Sequence, residues 1–191
     1  MQKLATASDL QARLQTVLDV VEREFATLTE EQLRWRPAPD RWSIVECLQH
    51  LNLAERFYIH NIQHKVDALA LVQTNPVDQL LVSDLVGKAM LFVVDPQTRV
   101  RLPAPGVIYP RKAADLMPAD VVRQFVDLQT LLSTQLNKAV YLDWNREKVM
   151  SLFGNWLKLR LGDAFRMLVA HTERHMNQAM RVKAEMDTFV T

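Results

Sequence analysis

Residues 42–57 read "WSIVECLQHLNLAERF". Ser43 and Glu46 form an S-x-x-E capping box, in which hydroxyl and carboxylate satisfy backbone N–H groups that the first helical turn leaves without partners. The apolar run that follows therefore opens a helix, predicted over Ile44 to about Leu71. Two turns in, His50 stands among Cys47, Leu53, Ala54 and Phe57, so its imidazole points inward, where a leucine would pack at lower cost.

Upstream, "RWRPAPDRW" holds Pro37 and Pro39, which forbid a continuous helix into this region. Before it, Ser8 and Gln11 form an S-x-x-Q box, and Leu10, Leu14, Val17, Leu18, Val21, Phe25 and Leu28 recur at spacings of three and four. That pattern predicts a first helix from Ser8 to near Leu28. Thr29 with Gln32 offers another box for a short helical turn. Downstream, Asn75 before Pro76 reads as a helix start, with "VDQLLVSDLVGKAML" supplying three or four turns. Residues 95–118 carry five of the eight prolines and read as a long ordered loop. Pro118 suits the first turn of a third long helix running through Val140. "YLDWNREKVMSLFGNWLKL" reads as irregular or briefly helical, and a last helix is expected over about Gly162 to Met186. Its stripe includes Ala164, Phe165, Leu168, His171, Thr172, His175, Gln178, Ala179 and Val182. The fold expected is all-α: one domain over residues 1–191, built as a four-helix bundle.

Composition narrows the function. The chain has 191 residues, 49% of them hydrophobic, enough for a full core. A net charge of +1 with no basic block argues against nucleic acid as a partner. No apolar run approaches the roughly 20 residues of a membrane span, and the N-terminus lacks the apolar core of a signal peptide. One cysteine, Cys47, excludes an internal disulfide and fits a reducing compartment, so a cytoplasmic location is expected.

Of five histidines, two pairs have i,i+4 spacing, which places both rings on one helix face. His171 and His175 lie on the apolar stripe of the last helix and point inward. His60 and His64 sit beside Arg56, Gln63, Lys65 and Asp67 and read as a solvated face. They also lie about 15 and 21 Å beyond His50 along a straight helix. The grouping that remains is His50 with His171 and His175, three neutral imidazoles able to hold one divalent metal with a position left open. Each is also open to a plain reading as a core histidine with its own hydrogen-bond partner. Burying three imidazoles without partners would cost roughly 1–3 kcal/mol each, a cost that a shared cation removes. Cys47, one turn before His50, reads as inert packing rather than a fourth ligand. Glu46 reads as a cap rather than a carboxylate orienting His50. Trp42, Trp144 and Trp156 read as core or loop anchors.

"WRPAPDRWSIVECLQHLNLAERF" resembles the front half of the DinB-like (YfiT-like) superfamily, with its W-S-x-x-E-x-x-x-H-L pattern. "HTERHMNQAMRV" resembles the closing H-x-x-R-H-x-x-Q motif, and "SLFGNWLKLRLGDAFRML" the approach to the last helix. The resemblance implies a four-helix bundle with a long crossover between the second and third helices, which the Pro-rich 95–118 stretch suits. It implies a divalent metal, zinc or nickel, on His50, His171 and His175, and a homodimer as a frequent assembly. For function it implies a metal-dependent thiol S-transferase acting on a small-molecule electrophile with a low-molecular-weight thiol. The alternatives are a metal-dependent hydrolase and a non-catalytic metal-binding or sensor bundle. Residues 75–118 run longer than in compact relatives. The wall that would position an electrophile is expected around Pro39, Tyr109 and Trp144.

Overall fold

The computed structural model describes residues 1–69, 76, 78–98 and 103–190. The chain is mostly helical: α1 (Lys3–Val20), α2 (Glu30–Arg34), α3 (Ile44–Leu69), α4 (Leu85–Val94), α5 (Pro118–Ala139) and α6 (Leu161–Val190). A small antiparallel hairpin, β1 (Lys148–Ser151) and β2 (Gly154–Arg160), precedes α6. α3 packs against α5 and α6, α1 packs against the same two helices, and α4 lies on α6. No described helix is long and apolar enough to cross a membrane.

α3 begins as its capping box predicts. The Ser43 N–H donates to Glu46 Oε2 at 2.8 Å, and the Glu46 N–H donates to Ser43 Oγ at 3.3 Å. The Thr29–Gln32 box likewise caps α2, and Pro118 occupies the first turn of α5. Residues 70–75, including the predicted end of this helix and the start at Asn75, lie outside the described residues.

α1 begins at Lys3, not Ser8. Ser8 is exposed within the helix, and Gln11 bonds Asn137 on α5 instead of closing a box. The start is set by a distant segment. The Lys3 N–H donates to Gln79 O and the Leu81 N–H to Met1 O, both at 2.9 Å, and the Leu4 N–H donates to Asp78 Oδ1. The Lys3 and Leu4 bonds satisfy two of the orphan donors of the first turn, and the Leu81 bond fastens the segment to Met1. The buried Lys3 ammonium then donates to Val140 O at 2.7 Å and Leu142 O at 3.0 Å, meeting the free carbonyls past the end of α5. The same pairing keeps residues 78–84 extended, so α4 starts only at Leu85, where Asp84 caps the Gly87 N–H at 2.9 Å. Gly87 has no room for a Cβ, because the Asp163 side chain of α6 lies against it.

The stretch expected to be irregular is the hairpin, which corrects the all-α expectation. Val149 pairs with Leu159, both buried, while Lys148 and Lys158 face out. That alternation is the period of a half-buried strand. Gly154, at φ +104°, makes the turn in a conformation that suits glycine. The last helix extends past both predicted ends, to Leu161 and Val190.

The tryptophans divide. Trp144 is fully buried against Phe165, with its indole N–H on Ala139 O at 2.8 Å. Trp156 is 80% exposed on β2 and anchors nothing in the core.

Candidate metal centre

The core forms two apolar clusters. One joins Tyr58–Val66 of α3 with Leu132–Ala139 of α5 and Leu161–Val169 of α6. The other joins Ile44–Leu51 with Val121–Phe125 and Met176–Val182. Between them each of the three helices carries polar side chains inward: His50, Asn52 and Glu55 from α3, Gln129 from α5, and His171, Thr172 and His175 from α6.

The three histidines converge. One ligand atom of each lies within 4.8 Å of the others. His50 Nε2 and His171 Nε2 are 3.3 Å apart, and the ring centroids are separated by 4.5–5.2 Å. Among the described residues no other set of three His, Cys, Asp or Glu side chains meets in this way. His60 and His64 remain exposed on α3, their rings edge-on to each other.

The outer nitrogens of two of these rings are already committed. His50 Nδ1 donates to Ile108 O at 2.8 Å, since a carbonyl can only accept, so its Nε2 carries a lone pair into the cluster. His175 Nδ1 donates to Gln178 Oε1 at 3.0 Å. Burial depresses the pKa of all three rings. For His171 the neighbouring His175 and His50 add to it, and for His175 burial and His50 bring the value to about 3. The imidazoles are thus neutral at pH 7, the form that ligates. Two nitrogens each 2.0–2.1 Å from one tetrahedral ion stand about 3.3 Å apart, which matches the His50–His171 spacing. The donor set therefore fits a divalent ion that takes nitrogen ligands.

The loop after α4 supplies the second layer of this site. Residues 106–113 are pinned to α3 by two side chains: Gln49 Oε1 accepts the Arg111 N–H at 2.6 Å, and Glu46 Oε1 accepts the Ala113 N–H at 3.0 Å. Glu46 does not touch His50. Burial opposes its ionisation, but Arg36 and Ser43 together hold its carboxyl below the ordinary value. Its effect on His50 is indirect, through the loop that presents the Ile108 carbonyl. Cys47 is buried in the apolar cluster, where burial pushes its thiol up, and it takes no part in the triad.

Trp42 covers one side of the triad. Its ring lies 5.0 Å from His50 and 5.9 Å from His175, and Tyr109, 58% exposed, packs edge-on to it at 5.7 Å. Tyr109 is therefore beside the site, as expected. Trp144 is in the core and does not contribute to a wall. Pro39 is exposed, its carbonyl accepting from Arg36. His171 and His175 remain partly exposed, so the cluster is not sealed.

Sequence reading missed Glu55. It is fully buried, with Thr172 Oγ1 at 2.5 Å and the Gln129 amide on its other oxygen. A signal existed: Leu48, Leu51, Glu55, Tyr58 and Ile62 fall on one helical stripe.

A sequence model described as the DinB superfamily matches residues 13–179. No curated protein and no solved structure matches the chain.

Proposed function

This chain belongs to the DinB superfamily, and from that premise we propose that His50, His171 and His175 hold one divalent ion, zinc or nickel, and that the loaded site activates a low-molecular-weight thiol for transfer to a small electrophile. The observation that carries the reading is the triad itself: three neutral imidazoles with ligand atoms within 4.8 Å, two of them with the outward proton committed. The same reading takes residues 1–191 as one cytoplasmic bundle domain, with α1, α3, α5 and α6 as its four main helices and the connection from α3 to α5 as its crossover.

When bound, such an ion lowers the pKa of a coordinating thiol or water toward neutrality. The residues of the chain do the rest. The carbonyl of Ile108 and the amide of Gln178 fix two imidazole tautomers, so no histidine must lose a proton to ligate. Trp42 and Tyr109 form an aromatic wall against which an electrophile rests. No carboxylate converges with the triad among the described residues, so the proton released by the thiol passes to solvent.

Elemental analysis of untagged protein tests the first half, with about one divalent ion per chain expected; protein that takes up no metal sinks the reading. For the second half, thiols are titrated into cobalt-substituted protein while product formation with a panel of electrophiles is followed. Thiol binding with no turnover would select the sensor reading. Ester hydrolysis lost in His50→Ala, with no thiol binding, would select the hydrolase. Gln178→Ala is expected to weaken metal binding by about 10- to 100-fold, the usual effect of losing a partner that orients a ligating histidine. Unchanged affinity in that variant would remove Gln178 from the site.

A further inference from the structure

We propose that Glu55, Thr172 and Gln129 are positioning residues for the triad: their buried bonds fix the register of α3 against α6, so that His50, His171 and His175 converge before any ion arrives. The inference rests on the metal reading above and adds what holds the ligands in place.

Location is the first argument. α3 and α6 run antiparallel, since Ile44–Leu51 packs with Met176–Val182 and Tyr58–Val66 with Leu161–Val169. The triad lies between these two clusters, with the His50 and His175 rings 4.5 Å apart. The next rung is Glu55 with Thr172, whose Oε1 and Oγ1 lie 2.5 Å apart. Glu55 is about 7.5 Å along the axis from His50, and Thr172 follows His171 directly. A slide or rotation of one helix that broke this bond would carry the ligands with it.

Direction is the second. The clusters on either side are apolar, and apolar burial has no preferred orientation, whereas a hydrogen bond has one. Thr172 Oγ1 also lies 2.9 Å from Leu168 O, one turn back on α6, which holds its side chain in one rotamer. The Gln129 amide donates to Glu55 Oε2 and so brings α5 into the same network. The Asn52 amide donates to Val121 O at 2.9 Å, a further tie between α3 and α5. All three helices are therefore keyed to one another beside the triad.

Cost is the third. Glu55, Gln129 and Thr172 are fully buried, where apolar side chains would pack without desolvating polar atoms. Gln129 Oε1 and Asn52 Oδ1 are buried without a hydrogen-bond partner among the described residues. Stability alone does not account for such a layer. A buried polar network can instead select one arrangement of its helices where an apolar layer allows several.

The test replaces the layer by apolar side chains of similar size, Glu55→Met/Gln129→Met/Thr172→Val, which removes the partners together and leaves none of the three stranded. Urea unfolding of the metal-free variant is expected to show stability at or above wild type. Cobalt affinity, read by competition with a chelator, should nevertheless fall by about tenfold or more, with the visible bands of the bound ion altered. Thr172→Ser, which keeps the hydroxyl, should stay close to wild type in both. In metal-free protein, NMR of the histidine ring nitrogens should give one sharp set of triad signals in wild type and broadened or multiple signals in the triple variant. Wild-type cobalt affinity, bands and ring signals in the triple variant would overturn the proposal. If that variant does not fold, Thr172→Val is compared with Thr172→Ser, and equal cobalt affinity in the two overturns it. Wild-type protein that takes up no cobalt would sink the metal reading alone, because the ring signals, which need no ion, still decide whether the layer holds the triad together.

Discussion

Replacing His175 by alanine is expected to cost at least about 100-fold in metal affinity, while His64→Ala leaves metal content at the wild-type level. Loss of a residue that merely orients a ligating histidine costs about 10- to 100-fold, so loss of a ligand itself should cost no less. The substitutions are chemically identical and both remove one member of an i,i+4 pair. They differ in what surrounds the ring. His175 meets His50 and His171 from two helices, whereas His64 is exposed and belongs to no converging set of three ligand groups among the described residues. A second readout is thermal. An ion that binds only the folded state adds about 2.7 kcal/mol at 100 times its Kd, so excess zinc should raise the melting temperature of wild type and of His64→Ala but not of His175→Ala. Equal loss of metal in the two variants would mean that the exposed pair, or neither, is the site.

Glu55→Gln should flatten the dependence of stability on pH between about 4.5 and 7. Burial raises the Glu55 carboxyl from 4.5 to about 7, with the bonds to Thr172 and Gln129 opposing it. Proton counting agrees with a neutral acid. The Thr172 hydroxyl has one hydrogen and lies 2.9 Å from Leu168 O and 2.5 Å from Glu55 Oε1, so when it donates to the carbonyl, Glu55 must donate to it. Because the folded state holds this proton more tightly, its contribution is complete below pH 4.5 and is lost as pH rises toward 7. The shift corresponds to about 3 kcal/mol. The depressed histidines act in the opposite sense, losing stability as pH falls below 6.5, but they are common to both proteins and cancel in the difference. Urea unfolding at a series of pH values, wild type minus Glu55→Gln, reads the effect. Parallel profiles would show that Glu55 titrates normally.

What could be read in the sequence lies within a turn or two of chain. The Ser43–Glu46 box is an i,i+3 interaction, so the start of α3 is decided by four residues. The inward direction of His50, His171 and His175 follows from the 3.6-residue period, and the short motifs around them point to the family. Glu55 was open to the same reasoning, since it stands on the apolar stripe of α3.

Other features depend on pairings that no local window contains. Ser8–Gln11 and Gln2–Lys3 are both acceptable places to begin a helix; the bonds from Met1 and Lys3 to residues 79–81 decide between them. Trp144 and Trp156 sit in similar polar surroundings in sequence, yet a turn packed on α6 buries one and the outer face of a hairpin exposes the other. The partner of His50 Nδ1 is a backbone carbonyl, 58 residues away, to which any residue type at 108 could contribute. Glu185 on α6 is held by both terminal nitrogens of Arg41, 144 residues away in the chain. Short-range bonds choose the helix and the face it turns inward. Where several local states have nearly equal free energy, the choice passes to whichever distant group satisfies the remaining donors, acceptors and charges, and that is settled only when the helices pack.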